Sequence, residues 1–368
     1  MNSSTPLIRS SLRDIPRWAL VAPLIGGVIA AGAATGLGGY YAILVGLGLC
    51  AGVFAAIHHA EVVAHRVGEP YGTLVLAMSV TLLEVSLVGS VMLAGRGESA
   101  ALARDTVFAT VMIILNGIVG MSLLVGGLRH RAQEFSLDGV SAALVALAAI
   151  TAMTLVFPNF TVTVPGPFYA SSQLALVAIV SVVIYGAYIG TQTLVHRALF
   201  VEIESSEAQD SVSGLPSTAL TVTSAALLLL CLLIVVASAH TLAPILEAKV
   251  AVWGAPNAIV GVVIAALVLL PEGLAALRAA RQNRLQTSLN LALGSALASI
   301  GLTIPAISLL SILLGVKLVL GIDPKSIELL VLSLFTTTLV LRTGRTMLLH
   351  GVVLLVLFIV YLFLTVVP

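Results

Sequence analysis

Residues 72–95 read GTLVLAMSVTLLEVSLVGSVMLAG, an apolar run whose single charged side chain is Glu84. A run of this length crosses the hydrocarbon of a bilayer as an α-helix rising 1.5 Å per residue. Glu84 lies about twelve residues from either end, near the bilayer centre. A carboxylate there costs several kcal/mol and does not persist on a lipid face. A purely structural role would need a basic partner, and no Arg or Lys sits at comparable depth in any apolar run.

The same pattern recurs along the chain. Of 368 residues 59% are hydrophobic and 9% are charged, against roughly 25% charged in soluble domains. So few charges cannot cover a soluble surface, which excludes an ordinary cytosolic enzyme and a disordered chain. The net charge of +1 argues against a nucleic-acid partner. The runs do not alternate and aromatics make up 5%, unlike an outer-membrane barrel. The expected class is an all-α polytopic membrane protein whose partner is the lipid bilayer. Eleven spans are read: 18–38, 41–66, 72–95, 104–128, 137–157, 172–197, 217–240, 251–280, 285–315, 325–342 and 346–366. The first follows Arg9, Arg13 and Arg17 and is read as a retained helix. Cys50 and Cys231 fall inside apolar runs, form no metal or redox motif, and read as small packing residues.

Charge placement tests this map. With the N-terminus cytoplasmic, Arg9, Arg13, Arg17, Arg66, Arg129, Arg131, Arg197, Arg278, Arg281, Arg284, Arg342 and Arg345 fall at cytoplasmic ends. Arg96, Arg104, Lys249, Lys317 and Lys325 fall at the opposite ends, and the C-terminus faces outward. A map lacking one span would scramble this separation beyond the error. The only acidic run, Glu202, Glu204, Glu207 and Asp210, sits mid-chain on the cytoplasmic side. It reads as a solvated linker or as a cation-attracting, regulatory segment. The expected organisation is a cytoplasmic N-terminus and first helix (1–40), a five-helix repeat (41–198), an acidic linker (199–216) and a second five-helix repeat (217–368).

Aligning Glu84 with Glu272 sets Val80-Thr81-Leu82-Leu83-Glu84 against Val268-Leu269-Leu270-Pro271-Glu272 and brings Arg96 onto Arg284. The two spans run in opposite directions, because repeats of five helices joined by one linker are antiparallel. Inverted repeats of this kind characterise secondary transporters, whose substrates bind near the midplane. Pro271 is expected to break the helix beside Glu272 and free carbonyl oxygens as ligands. A salt bridge of Glu272 to Arg278 stays open as an alternative.

Two carboxylates without a buried basic partner suit a hard cation, which takes oxygen ligands. Asn116, Ser79, Thr81, Ser86, Ser295, Ser299 and Thr303 lie on neighbouring stretches; the last three recur every four residues and share one helix face. Helix–helix hydrogen bonding is the alternative use of these polar groups. Protons compete with the cation for the same carboxylates, which is enough to couple the two fluxes. His58, His59, Glu61 and His65 form an interfacial cluster, with Glu69 capping the next helix. The cluster reads as pH-sensing or gating, with a zinc site and a plain helix end as alternatives. No nucleotide loop, nucleophile elbow or dinucleotide fingerprint is present. An enzyme is therefore not expected, nor a cofactor.

These residues resemble the cation/proton exchanger branch of the cation/Ca²⁺ antiporter superfamily, nearest its bacterial ChaA-type antiporters. The likeness rests on His59-Ala60-Glu61, on Arg66 through Gly72, and on Glu84 and Asn116. It continues through Gly126 to Gln133, Pro271-Glu272, and Gly294-Ser295 through Pro305. It implies Glu84 and Glu272 as the central cation- and proton-binding carboxylates, completed by Asn116, Ser295 and broken-helix carbonyls. Two positions depart from the wider family: Val80-Thr81 stands where Gly-Asn is usual, and Ala298 where a glutamine is usual. Both lost groups are amide ligands, and ChaA-type proteins are associated with Na⁺ and K⁺ as well as Ca²⁺. The expected function is a bacterial inner-membrane antiporter exporting Ca²⁺, with Na⁺ or K⁺ as further cargo, against H⁺. The alternatives are a monovalent-only antiporter and a passive channel.

Overall fold

The computed structural model describes residues 15–32, 38–68, 71–93, 99–195 and 216–367. Among these, eleven apolar helical segments follow one another. They are α1 (Arg17–Gly32), α2 (Gly38–Val67), α3 (Tyr71–Leu93), α4a (Ser99–Met112) with α4b (Val119–His130), α5 (Leu137–Thr151), α6 (Ser171–Gly190), α7 (Thr218–Val252), α8 (Ala258–Arg281), α9a (Leu285–Ala298) with α9b (Ile304–Leu314), α10 (Pro324–Leu341) and α11 (Leu348–Val366). Nine of the described helices are long and apolar enough to cross a membrane. α1 is a shorter apolar helix, and α3 carries Glu84 as its sole charge. The chain is thus an all-helical polytopic membrane protein, and the described residues include only isolated bridges of β type.

Three features differ from the sequence reading. α7 continues past His240 to Val252, because the residues taken as a loop carry the helix on without a turn. α8 accordingly starts at Ala258, not at 251. α8 also runs unbroken through Pro271, so the expected helix break beside Glu272 is absent. Proline costs one N–H and crowds the carbonyl four residues back, and here the surrounding turns hold the helix together. The interruptions occur elsewhere. π-helical turns at Ile113–Ile118 and Ser299–Thr303 join α4a to α4b and α9a to α9b. Further π turns close α5 (Ala152–Val156) and α6 (Thr191–Val195).

The chain packs as two units. The first holds α1, α2, α3 and α7 through Lys249. Within it α2 packs on α1 and α3, and Gly26 and Gly52 lie against Ile234 and Val235 of α7.

The second unit holds the remaining helices around α8, which packs on α4a, α4b and α9a. Two crossings bring backbones into contact. A Cβ on Gly351 of α11 would lie 2.5 Å from the Leu124 nitrogen, and one on Gly261 of α8 would lie 2.9 Å from the Asp105 carbonyl carbon. Lipid supplies no hydrophobic drive between helices, so such small-residue crossings carry the packing.

Polar loops tie the two ends of this unit. At one end, His130 Nε2 lies 3.0 Å from the Arg281 carbonyl, and Gln133 Nε2 donates to the Ala280 carbonyl (3.1 Å) and Asn283 Oδ1 (2.9 Å). The Gln133 amide also donates to Thr346 Oγ1 at 2.9 Å. At the other end, Arg104 donates to the Gly321 carbonyl (3.1 Å), Asn159 to the Ile322 carbonyl (2.8 Å) and Lys325 to the Leu364 carbonyl (3.0 Å). Arg129, Arg131, Arg278, Arg281, Arg284, Arg342 and Arg345 therefore share the first end, while Arg104 and Lys325 share the other, as the charge map requires. The chain directions follow: α4 and α9 run oppositely between these ends, as do α5 and α10.

Candidate cation-binding site

In the first unit, Glu84 lies near the middle of α3 and is 4% exposed. Thr81, three residues earlier on the same face, is also buried. Ser79 donates to the Val75 carbonyl at 2.8 Å, which spends its hydroxyl on its own helix. At the end of α2, His59 is fully buried with Nε2 3.3 Å from the Ala19 carbonyl of α1. The Trp18 and His58 rings meet at a tilt of 56°, their centroids 5.3 Å apart. Glu61 and His65 are exposed. No group of three or more His, Cys, Asp or Glu converges on a metal position among the described residues, so the zinc alternative gains no geometry. His58 and His59 of the cluster pack against α1. Glu69 and the acidic run Glu202, Glu204, Glu207 and Asp210 lie outside the described residues.

The second unit gathers the other expected donors. Glu272 lies half-buried on α8, and its neighbour Gly273 packs on Ile118, whose Cδ1 would meet a Cβ there at 3.3 Å. Ile118 closes the first π turn, which carries Asn116. Asn116 is fully buried. Its Nδ2 donates to Ser333 Oγ on α10 at 2.8 Å and lies 3.9 Å from Met112 Sδ. Its Oδ1 has no hydrogen-bond partner among the described residues. The second π turn carries Ser299 and Thr303, both buried, while Ser295 is half-buried one turn earlier. Each π turn packs against the helix that leads into the other: Ile113–Ile118 on α9a, and Ser299–Thr303 on α4a. Gly301 fits beneath the Tyr185 ring, where a Cβ would stand 2.9 Å from the tyrosine Cβ.

The sequence reading placed helix interruption at Pro271, whereas the structure places it one span later in each half. A π turn widens the hydrogen-bonded ring and loosens the backbone at that depth, and such turns concentrate at functional sites. Composition carries no sign of it. Ser333 and Thr337 were also passed over. Their spacing of four on a span of lower mean hydropathy (1.4) than its neighbours was the available signal.

A polytopic helical protein with two π-broken helices and buried amide and hydroxyl oxygens at their breaks has the build of a secondary transporter. The sodium/calcium exchanger protein model matches residues 37–194 and 223–367. The chain belongs to this family. It is 44% identical over 96% of its length to the "Putative ionic transporter y4hA" of Sinorhizobium fredii, spanning 97% of that protein. It is 37% identical over 86% of its length to the "Sodium-potassium/proton antiporter ChaA" of Escherichia coli, spanning 86% of that protein. The ChaA-type resemblance read from the motifs is thereby met. Among solved structures, native YfkE matches with a TM-score of 0.75 at 15% identity, covering 95% of this chain and all of that one, a likeness of fold.

Proposed function

We propose that the chain is a cation/proton antiporter of a bacterial inner membrane that exports Ca²⁺, with Na⁺ or K⁺ as further cargo, in exchange for H⁺ by alternating access. The observation that carries this reading is the buried Asn116 Oδ1. It is a strong oxygen acceptor without a hydrogen-bond partner among the described residues, held inside a π turn at membrane depth. An acceptor buried without a donor is costly, and a cation with oxygen ligands removes that cost. The sodium-potassium/proton naming of ChaA supports coupling to protons.

In this reading Glu84 and Glu272 bind cation and proton in competition, with Thr81, Asn116, Ser295 and Ser299 adding oxygens. Two inverted five-helix repeats relate the two carboxylates. The register that sets Glu84 on Glu272 also brings the first π turn to within about one helical turn of the second, and the opposed directions of α4 and α9 support the same symmetry. The end bearing the seven arginines faces the cytoplasm, with the N-terminus on that side and the C-terminus outside. His58, His59, Glu61, His65 and Glu69 act as the gating cluster. The acidic linker through Glu202, Glu204, Glu207 and Asp210 regulates.

A monovalent-only antiporter is the second reading. It is favoured by Thr81 and Ala298, which stand where the wider family has amides, and by the cargo in ChaA's name. Proton flux in proteoliposomes separates the two, with Ca²⁺, Na⁺ and K⁺ added singly against an imposed pH gradient. Dissipation by Ca²⁺ is expected, and its loss in Glu84→Gln and Glu272→Gln. A gradient untouched by all three cations overturns antiport. A response to Na⁺ and K⁺ alone selects the monovalent reading, and full activity in either variant removes that glutamate from the site.

A further inference from the structure

We propose that Ser333 of α10 is a positioning residue for the transported cation, fixing the Asn116 side-chain amide so that Oδ1 is presented as a ligand. The proposal rests on the reading of Asn116 as a cation ligand. α10 turns one continuous face inward, with Ser326, Leu330, Ser333 and Thr337 buried at helical spacing, and it packs on the first π turn. Ser333 lies near the middle of this helix and is 1% exposed.

An asparagine amide has two orientations that exchange its oxygen and nitrogen. Here they are not equivalent. With Nδ2 toward α10, its N–H groups meet two acceptors, Ser333 Oγ at 2.8 Å and Met112 Sδ at 3.9 Å. The reverse orientation would set Oδ1 against the thioether lone pairs and leave two buried N–H donors where a cation is to bind. The Met112 thioether, which can only accept, thus sets which way the amide faces, and the Ser333 hydroxyl, which can accept or donate, holds it there with the shorter bond. A π turn has a wider, looser backbone than an α-helix, so an amide mounted on it needs an external partner to hold its direction.

A second hydroxyl on the same face points to the same polar environment. Helical threonines usually return their hydroxyl to the carbonyl four residues back, as Thr338 does to Leu334 at 2.7 Å. Thr337 does not. Its Oγ1 is fully buried with no hydrogen-bond partner among the described residues. The matching helix of the first half, α5, shows the contrast: Thr154 donates to the Ile150 carbonyl at 2.8 Å and Thr151 to the Leu147 carbonyl. Of these two helices α10 is the one with a buried threonine hydroxyl that is not returned to its own backbone, a state that Thr106 and Thr110 of α4a share among the described residues.

The test uses the full-length protein in proteoliposomes, with Ca²⁺, Na⁺ and K⁺ each titrated against proton flux. Ser333→Ala is expected to raise the half-saturating cation concentration about tenfold with the maximal rate near wild type, since one orienting hydrogen bond to a ligand is lost. Ser333→Thr, which keeps the hydroxyl, restores wild-type half-saturation. In an Asn116→Asp background both side-chain atoms are oxygens, so Ser333→Ala shifts half-saturation less than about twofold. Cation-induced thermal stabilisation in detergent gives the same comparison for any variant without turnover. Wild-type half-saturation in Ser333→Ala, or an equal shift in the Asn116→Asp background, overturns the proposal while leaving the antiporter reading intact. An Asn116→Leu variant with wild-type half-saturation overturns the ligand reading on which it rests.

Discussion

Gln133 and Asn283 meet at 2.9 Å, the Nε2–H of one donating to the Oδ1 of the other across the turns that follow α4b and α8. The same nitrogen serves the Ala280 carbonyl, and the Gln133 backbone exchanges hydrogen bonds with Thr346 beyond α10. One buried residue thus joins three loops, through its side chain to one and its backbone to another. Gln133→Ala would remove both side-chain hydrogen bonds, leaving the Ala280 carbonyl with the longer Asn283 amide contact alone (3.3 Å) and Asn283, which is exposed, to water, at about 1 kcal/mol for each lost bond. The expected outcome is a clear fall in melting temperature in detergent. Retention of the wild-type melting curve would show that the loops are held by other contacts.

The crossing of α11 on α4b leaves no room for a side chain at Gly351, where a Cβ would lie 2.5 Å from the Leu124 nitrogen and 2.8 Å from the Gly120 carbonyl oxygen. Both obstacles are backbone and cannot rotate away. Gly351→Ala should therefore separate the two helices and cost several kcal/mol, at the upper end of overpacking effects. Gly186→Ala, at a position open to the surroundings, should be tolerated. Melting of the two purified variants side by side checks the contrast.

Asp323 caps α10, its carboxylate accepting from the Ser326 amide at 2.9 Å and the Ser326 hydroxyl at 2.8 Å. Partial burial pushes its carboxyl up, but these hydrogen bonds and the nearby Lys325 and Arg104 charges pull it further down, below the ordinary value. Folding depresses this pKa, so the stabilisation is present above the unfolded value and is lost as pH falls through the folded one. Asp323→Ala should cost about 1 kcal/mol at neutral pH. The gap to wild type should close below roughly pH 4, as followed by melting temperature across pH.

Two sets of positions at opposite ends of one packing unit test the topology. Arg281→Cys and Arg345→Cys should react with a membrane-impermeant thiol reagent in inside-out vesicles, and Lys317→Cys only in right-side-out cells. All three are exposed. Of the native cysteines, Cys231 is buried and Cys50 is half-buried within α2. Labelling of all three from one side would refute the charge-based map.

The span count and the sorting of charges were legible because both follow from one-dimensional physics: apolar length and the cost of moving Arg across lipid. Glu84 and Asn116 stood out for the same reason, as polar groups at depths where polarity is expensive. What could not be read was anything set by cross-chain hydrogen bonding. Pro271 looked like a breaker and is accommodated, whereas Ile113–Ile118 contains no breaking residue except Gly117 and forms the π turn. The end of α7 was misjudged because His240, Glu247 and Lys249 resemble a loop in composition, although the helix carries on through them without a turn. Ser333 was passed over because a serine in a span is common, and its role exists only through Asn116, far away in sequence.

The paired π turns bear on how this family tolerates insertions and deletions. Each π ring closes over one residue more than an α ring, so the helix carries a spare residue inside the bilayer. A single deletion in the middle of an ordinary spanning helix rotates everything beyond it by about 100° and scrambles both faces. Deleting one residue within Ile113–Ile118 or Ser299–Thr303 instead restores a plain α-helix and keeps both flanking segments in register. Such a deletion should yield a protein that inserts, folds and melts much as before while its transport site is gone, separating the architecture from the activity by a single codon.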